Sequence, residues 1–168
     1  MLNYFHLFHV PECFDVDLEV IQQVYQRLQR QYHPDRHIQS PAEEQLRMAS
    51  KAAEVNSAWK TLSSPLLRAE HLLRLRGVDV QQSIALSPAF LMEQIEWREQ
   101  LEQASTVSKL LSLRQMLLDR LNSEAEAFQS SLEAEQLEQA RNHFTSMQFF
   151  QRLCDEANHR IDVLEFEE

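Results

Sequence analysis

Apolar residues recur along this chain at helical rather than strand spacing. Ile21, Val24, Tyr25, Leu28 and Tyr32 follow i, i+3, i+4, i+7 and i+11, the stripe of an amphipathic helix. The pattern predicts a helix over 17–32 with Asp17 as its cap. Proline disfavours helix at the residue before it, so His33, ahead of Pro34, begins a loop. A second helix is predicted from Pro41 to Leu62, with Met48, Ala52, Val55, Trp59 and Leu62 as its stripe. Two helices joined by so short a loop run antiparallel. A short third helix from Pro65 to Arg76 carries Leu66, Leu67, Leu72, Leu73 and Leu75.

After Pro88 come 80 residues with neither glycine nor proline, so little but helices and short polar connections fits there. Ser87-Pro88 reads as a cap with proline at the first helical position. Helices are predicted over 88–104, 107–132 and 134–165. The middle one carries Leu110, Leu113, Leu117, Leu121, Phe128 and Leu132. The last carries Leu137, Ala140, Phe144, Met147, Phe150, Cys154, Ala157 and Ile161 on a drifting stripe. Three amphipathic helices of this length make a three-helix bundle. The only glycine, Gly77, follows Leu72-Leu73-Arg74-Leu75-Arg76, and basic residues before a glycine form a helix stop. The expected layout is therefore residues 1–76, a linker 77–86 and a second domain 87–168.

Composition agrees with an all-α chain. Leu 24 and Gln 18 outweigh Val 9, Ile 5 and Thr 3, and β-branched residues are the ones that prefer strands. A single glycine argues against phosphate-cradling loops and tight hairpins. Residues 1–76 hold nine Lys/Arg and nine Asp/Glu, whereas 77–168 hold seven and seventeen, so the whole net charge of −10 sits in the second part. That acidic half is a poor nucleic-acid binder and suits a basic protein partner. No apolar run approaches the ~20 residues of a membrane span, and the N-terminus lacks a charged secretion-signal region. A cytoplasmic location is expected. Cys13 and Cys154 form no CxxC; a disulfide, a metal pair or plain thiols fit that spacing, and two reduced thiols are expected.

Catalytic chemistry finds little support. The seven histidines are scattered, no HExxH occurs and no Cys/His cluster has zinc spacing. His33 and His37 straddle Pro34, so they do not share a helix turn. Glu96 and Glu99 lack the Glu-x-x-His companions of a di-metal bundle. No enzymatic function, cofactor or metal is expected. The informative feature is the loop His33-Pro34-Asp35 at the tip of the predicted hairpin. A turn is its simplest reading, but it follows a helix whose Arg27 and Arg30 lie about 120–180° from the apolar stripe, facing solvent. A second feature lies after Pro88. Phe90, Gln94, Trp97 and Leu101 share one face, assigned to the core. Leu91, Met92 and Ile95 share another, bordered by Glu96, Glu99 and Glu102. Surplus apolar residues framed by charge mark an interaction site, unless that face packs on a neighbouring element.

These residues resemble a known family. QRLQRQYHPDR followed by NSAWKTLSSPLLRAEHLL resembles a J-domain; the match includes Tyr25, Leu28, Tyr32, His33, Pro34, Asp35, Asn56, Ala58, Trp59, Leu62, Pro65 and Arg68. AFLMEQIEWREQLE resembles the start of the C-terminal domain of the HscB (Hsc-twenty type) co-chaperones of iron–sulfur cluster assembly, and the likeness covers essentially the whole chain. The resemblance implies a J-domain, with an antiparallel helix hairpin plus short helices, joined by a linker to a three-helix bundle. It implies a protein that stimulates the ATPase of a dedicated DnaK-class chaperone (HscA type) through His33, Pro34 and Asp35, with Arg27 and Arg30 in support. It also implies delivery of the iron–sulfur scaffold protein (IscU type) on Leu91, Met92, Ile95, Glu96 and Glu99, joined by Phe149 on the last helix. Phe149 lies about 100° from Phe150, which follows the core stripe better. Where relatives often carry another acid, this chain has Gln103. A J-protein with a different client and a purely structural helical adaptor are the alternatives.

Overall fold

The computed structural model describes residues 2–81 and 85–167. Those residues form helices and connections, with no strand among them, and divide into two compact units, Met1–Gly77 and Val78–Glu168. Of the expected linker 77–86, residues 82–84 lie outside the described residues.

The first unit contains α1 (Tyr4–Phe8), α2 (Leu18–Tyr32), a 3-10 turn (Pro34–His37), α3 (Ala42–Ser63) and α4 (Pro65–Leu75). Asp17 caps α2 as expected, its carboxylate accepting from the backbone N–H groups of Glu19 at 2.9 Å and Val20 at 3.2 Å. Tyr25 stacks on Trp59 and Gln29 donates to Asn56, so residue numbers rise along α2 as they fall along α3 and the hairpin is antiparallel. Ile21 and Leu28 on α2 and Val55, Ala58 and Leu62 on α3 are buried. The five-residue α1 is too short to leave a periodic signature, and the hydrophobic pattern did not predict it. Asn3 caps it, and both of its phenylalanines, Phe5 and Phe8, are fully buried.

Two polar residues of α4 are buried with it. Arg68 donates to the Leu62 carbonyl at 2.9 Å and lies over the Phe14 ring. His71 stacks on Tyr4, and its Nε2 accepts the Tyr4 backbone N–H at 3.2 Å, so the ring is neutral with its proton on Nδ1. Burial, the largest cause, holds the His71 pKa below the usual histidine value. Gly77 follows the end of α4 in the left-handed region, at φ 78°, as the glycine stop requires.

The second unit contains α5 (Pro88–Gln103), α6 (Val107–Glu133) and α7 (Leu137–Glu167). Ser87 caps α5 through the Phe90 N–H and Thr106 caps α6 through the Lys109 N–H. The last helix starts three residues later than the apolar pattern predicts. Glu135 is left-handed at φ 58°, and the N–H groups of Glu135 and Gln136 return to the carbonyls of Leu132 and Ser131, closing α6 before α7 begins. The long helices α6 and α7 form a hairpin cored by Leu110, Leu113, Leu117, Phe150, Leu153, Cys154, Ala157 and Ile161. Cys154 is buried there as a thiol, and the Cys13 thiol donates to the Asp15 carbonyl at 2.9 Å.

The shorter α5 lies on this hairpin through a narrower contact. Phe90 meets Phe149 edge-on at 5.8 Å and Trp97 meets Phe150 at 6.1 Å. Two arginines fasten it. Arg120 of α6 grips both oxygens of Glu93, at 2.9 and 3.3 Å. Arg160 of α7 donates to the carbonyls of Leu101 and Ala104 at the carboxyl end of α5, where such groups lack helical partners.

Candidate protein-docking sites

The loop predicted from proline chemistry is a 3-10 turn. His33 ends α2 with extended backbone, φ −61° and ψ 129°, as a residue before proline prefers. Pro34 occupies the first position of the turn, where its missing N–H does no harm. The His33 Nδ1 accepts from the Asp35 N–H at 3.3 Å and lies 3.7 Å from the Asp35 carboxylate. The Arg36 N–H closes the turn on the His33 carbonyl. His33, Pro34 and Asp35 are exposed, as are Arg27 and Arg30. The fold brings the two predicted arginines to the base of the loop, where they line a shallow concavity with Gln31, Arg36 and His37. Three arginines against the single carboxylate of Asp35 make this a cationic docking face.

Three residues of this site escaped the sequence reading. Arg36 donates to the Arg30 carbonyl at 3.0 Å, and the His37 Nε2 lies 3.1 Å from the Gln31 carbonyl. Gln45 on α3 donates to the carbonyls of Ile38 and Ser40. The one available signal was a pair of basic residues just past a helix end, which suits the negative end of the helix dipole.

On α5 the two predicted faces separate. Leu101 is buried, Phe90 and Trp97 are half-buried against the hairpin, and Gln94 is half-buried. Leu91, Met92 and Ile95 are 45%, 59% and 52% exposed, and Glu96, Glu99 and Glu102 beside them are exposed. Phe149 does not join this surface. It is 3% exposed, held edge-on between Phe90 and Phe150 with the Arg98 guanidinium 6.0 Å from its ring. The single stripe through Phe150 does not show this burial of the residue that the resemblance implies as a contact, because α7 is covered from two sides, by α6 and by α5, and its buried arc includes both Phe149 and Phe150.

Residues 3–71 match the family model described as DnaJ domain, and residues 86–158 match the one described as HSCB C-terminal oligomerisation domain. A curated relative from Pseudoalteromonas atlantica, named co-chaperone protein HscB homolog, is 38% identical over 97% of this chain and 98% of its own length. The chain belongs to the HscB co-chaperone family. The solved chaperone HscB from Vibrio cholerae is 30% identical and superposes with a TM-score of 0.87 over 97% of this chain and 99% of its own. Human co-chaperone HscB is 27% identical, with a TM-score of 0.90 over 95% of this chain and 82% of its own. The relatives are named as co-chaperones, and a J-domain in an HscB chain implies a heat-shock chaperone of the DnaK class as partner. Among the described residues, no group of three or more His, Cys, Asp or Glu side chains could hold a metal ion, and no helix is long and apolar enough to cross a membrane.

Proposed function

We propose that this HscB chain stimulates the ATPase of a dedicated HscA-type chaperone and delivers an IscU-type iron–sulfur scaffold to it, assisting cluster transfer and maturation of iron–sulfur proteins. In this reading residues 1–76 form the chaperone-binding part, 77–86 the tether and 87–168 the scaffold-binding part. His33, Pro34 and Asp35 engage the chaperone, and Arg27 and Arg30 meet an acidic surface on it. Leu91, Met92 and Ile95 receive the scaffold, and Glu96 and Glu99 pair with basic groups on it. Phe149 supports α5 from below rather than touching the client.

The observation that carries this reading is the pairing, in one chain, of an exposed His-Pro-Asp turn with an apolar face left over on a helix whose other face is already packed. Fully burying one such side chain is worth about 1.5–3 kcal/mol. Three that are already half-covered therefore offer about 3 kcal/mol, roughly a hundredfold in affinity. The chain supplies no acid or base to ATP hydrolysis. Its effect is a shift in the chaperone's own conformational populations. Tethering the scaffold meanwhile raises its effective concentration at the chaperone.

Titrating the scaffold against wild type and the double variant Leu91→Ala/Met92→Ala tests the client assignment. Binding should weaken by at least tenfold while the helical circular dichroism is unchanged. Equal affinity for both proteins would remove the α5 surface from the account.

A further inference from the structure

The last carbonyls of a helix need partners from outside it, and the end of α2 is poorly placed to find them. His33 leaves in extended conformation and Pro34 has no N–H to fold back. A glycine-type closure is therefore unavailable there. Instead, two side chains of the following turn take the carbonyls in sequence: Arg36 takes Arg30 at 3.0 Å and His37 takes Gln31 at 3.1 Å. Both bonds span six residues and both start from the 3-10 turn that contains Pro34 and Asp35. A cationic guanidinium at this end of α2 is also favoured by the helix dipole.

We propose that Arg36 and His37 are positioning residues, a two-point latch that fixes the His-Pro-Asp turn against the carboxyl end of α2 before the chaperone arrives. The proposal rests on the chaperone-stimulating role given above and adds to it. Arg27 and Arg30 contribute charge alone to the docking face, whereas Arg36, beside its charge, and His37 set the angle at which His33 and Asp35 are presented. With the latch intact, the chaperone does not bear the entropy of ordering the turn. With either bond removed, the turn samples other orientations and productive encounters become rarer.

The test uses the full chain with His37→Ala, His37→Gln and Arg36→Ala/His37→Ala. Backbone relaxation of the Asp35, Arg36 and residue-37 amides is measured in the free protein, and ATPase stimulation is measured with the partner chaperone. The latch predicts order parameters near those of α2 in wild type, falling toward about 0.6 in the double variant. It also predicts stimulation at sub-saturating chaperone reduced about fivefold by His37→Ala. Glutamine at 37, which keeps an N–H donor, should restore much of both. His37 acts here through a short-range hydrogen bond to the Gln31 carbonyl, so the effect of His37→Ala should persist at raised salt, unlike that of a docking cation. Turn amides as ordered in the double variant as in wild type would overturn the latch, even if stimulation fell, because the residues would then be direct contacts. A wild type that stimulates no chaperone would overturn the functional reading instead, and the relaxation data would still decide the latch.

Discussion

Replacing Arg120 by methionine probes how α5 is held on its hairpin. The guanidinium bonds Glu93 of α5 at 2.9 and 3.3 Å and Glu124 at 2.8 Å, and sits 5.3 Å above the Phe150 ring. Glu124 in turn meets the His143 ring at 2.7 Å. The side chains of Arg120 and Glu93 are 35% and 28% exposed, but that of Glu124 only 9%. Exposed pairs contribute at most about 1 kcal/mol, whereas stranding a buried charge costs about 3–5 kcal/mol. The Glu93 pair belongs near the first figure. The Glu124 carboxylate, which keeps His143, falls between the two. A total of about 2–3 kcal/mol follows, which in a domain of this size lowers the melting temperature by roughly 10 °C or more. Methionine keeps most of the apolar stem over Phe150, so the loss reports on charge. Differential scanning calorimetry of wild type, Arg120→Met, Glu93→Gln and the double variant gives the pairwise coupling, expected at about 1 kcal/mol. A shift under about 2 °C for Arg120→Met would refute this assignment of the network, since the stranded Glu124 would then carry no penalty.

Three further outcomes are expected. His71 is neutral in the fold with its pKa lowered by burial; the unfolded chain, with an ordinary pKa of 6.5, takes the proton first as the pH falls. Its contribution is therefore complete above about pH 6.5 and lost as the pH drops through the folded value; His71→Asn should flatten that part of the first unit's melting-temperature profile, and an unchanged slope would contradict the burial argument. Burial pushes the Cys154 thiol up to about 11, so in native protein at pH 8 a thiol reagent should label Cys13 alone, with both cysteines reacting only after unfolding; rapid native labelling of Cys154 would show that the hairpin core opens. Phe149→Ala should destabilise the second unit by about 3–5 kcal/mol in chemical denaturation, whereas a surface residue would change it by under about 0.5 kcal/mol.

The long helices were legible because each carries several turns of one stripe, and their ends were legible where a cap or proline is local. Asp17, Ser87-Pro88 and Gly77 each act within three residues of their own position. What stayed hidden depends on partners distant in sequence. The half-burial of Tyr4 and the burial of Phe5 become explicable only beside His71, and the second buried face of α7 only beside α5. At the candidate sites, Leu91, Met92 and Ile95 were separable from Phe90, Trp97 and Leu101 by angle alone. The bonds from Arg36 and His37 back to α2 were not, since they depend on the curvature of a turn that no periodicity describes.

In the proposed function, two separate surfaces of one chain link a chaperone to its client. The most direct measurement is the chaperone's ATPase rate, with and without the scaffold, driven by wild type, His33→Gln or Leu91→Ala/Met92→Ala. His33→Gln should bind the scaffold with unchanged affinity yet stimulate nothing. The α5 variant should stimulate the bare chaperone normally but gain little from added scaffold. Undiminished stimulation by His33→Gln, or full scaffold enhancement with the α5 variant, would contradict the proposed function.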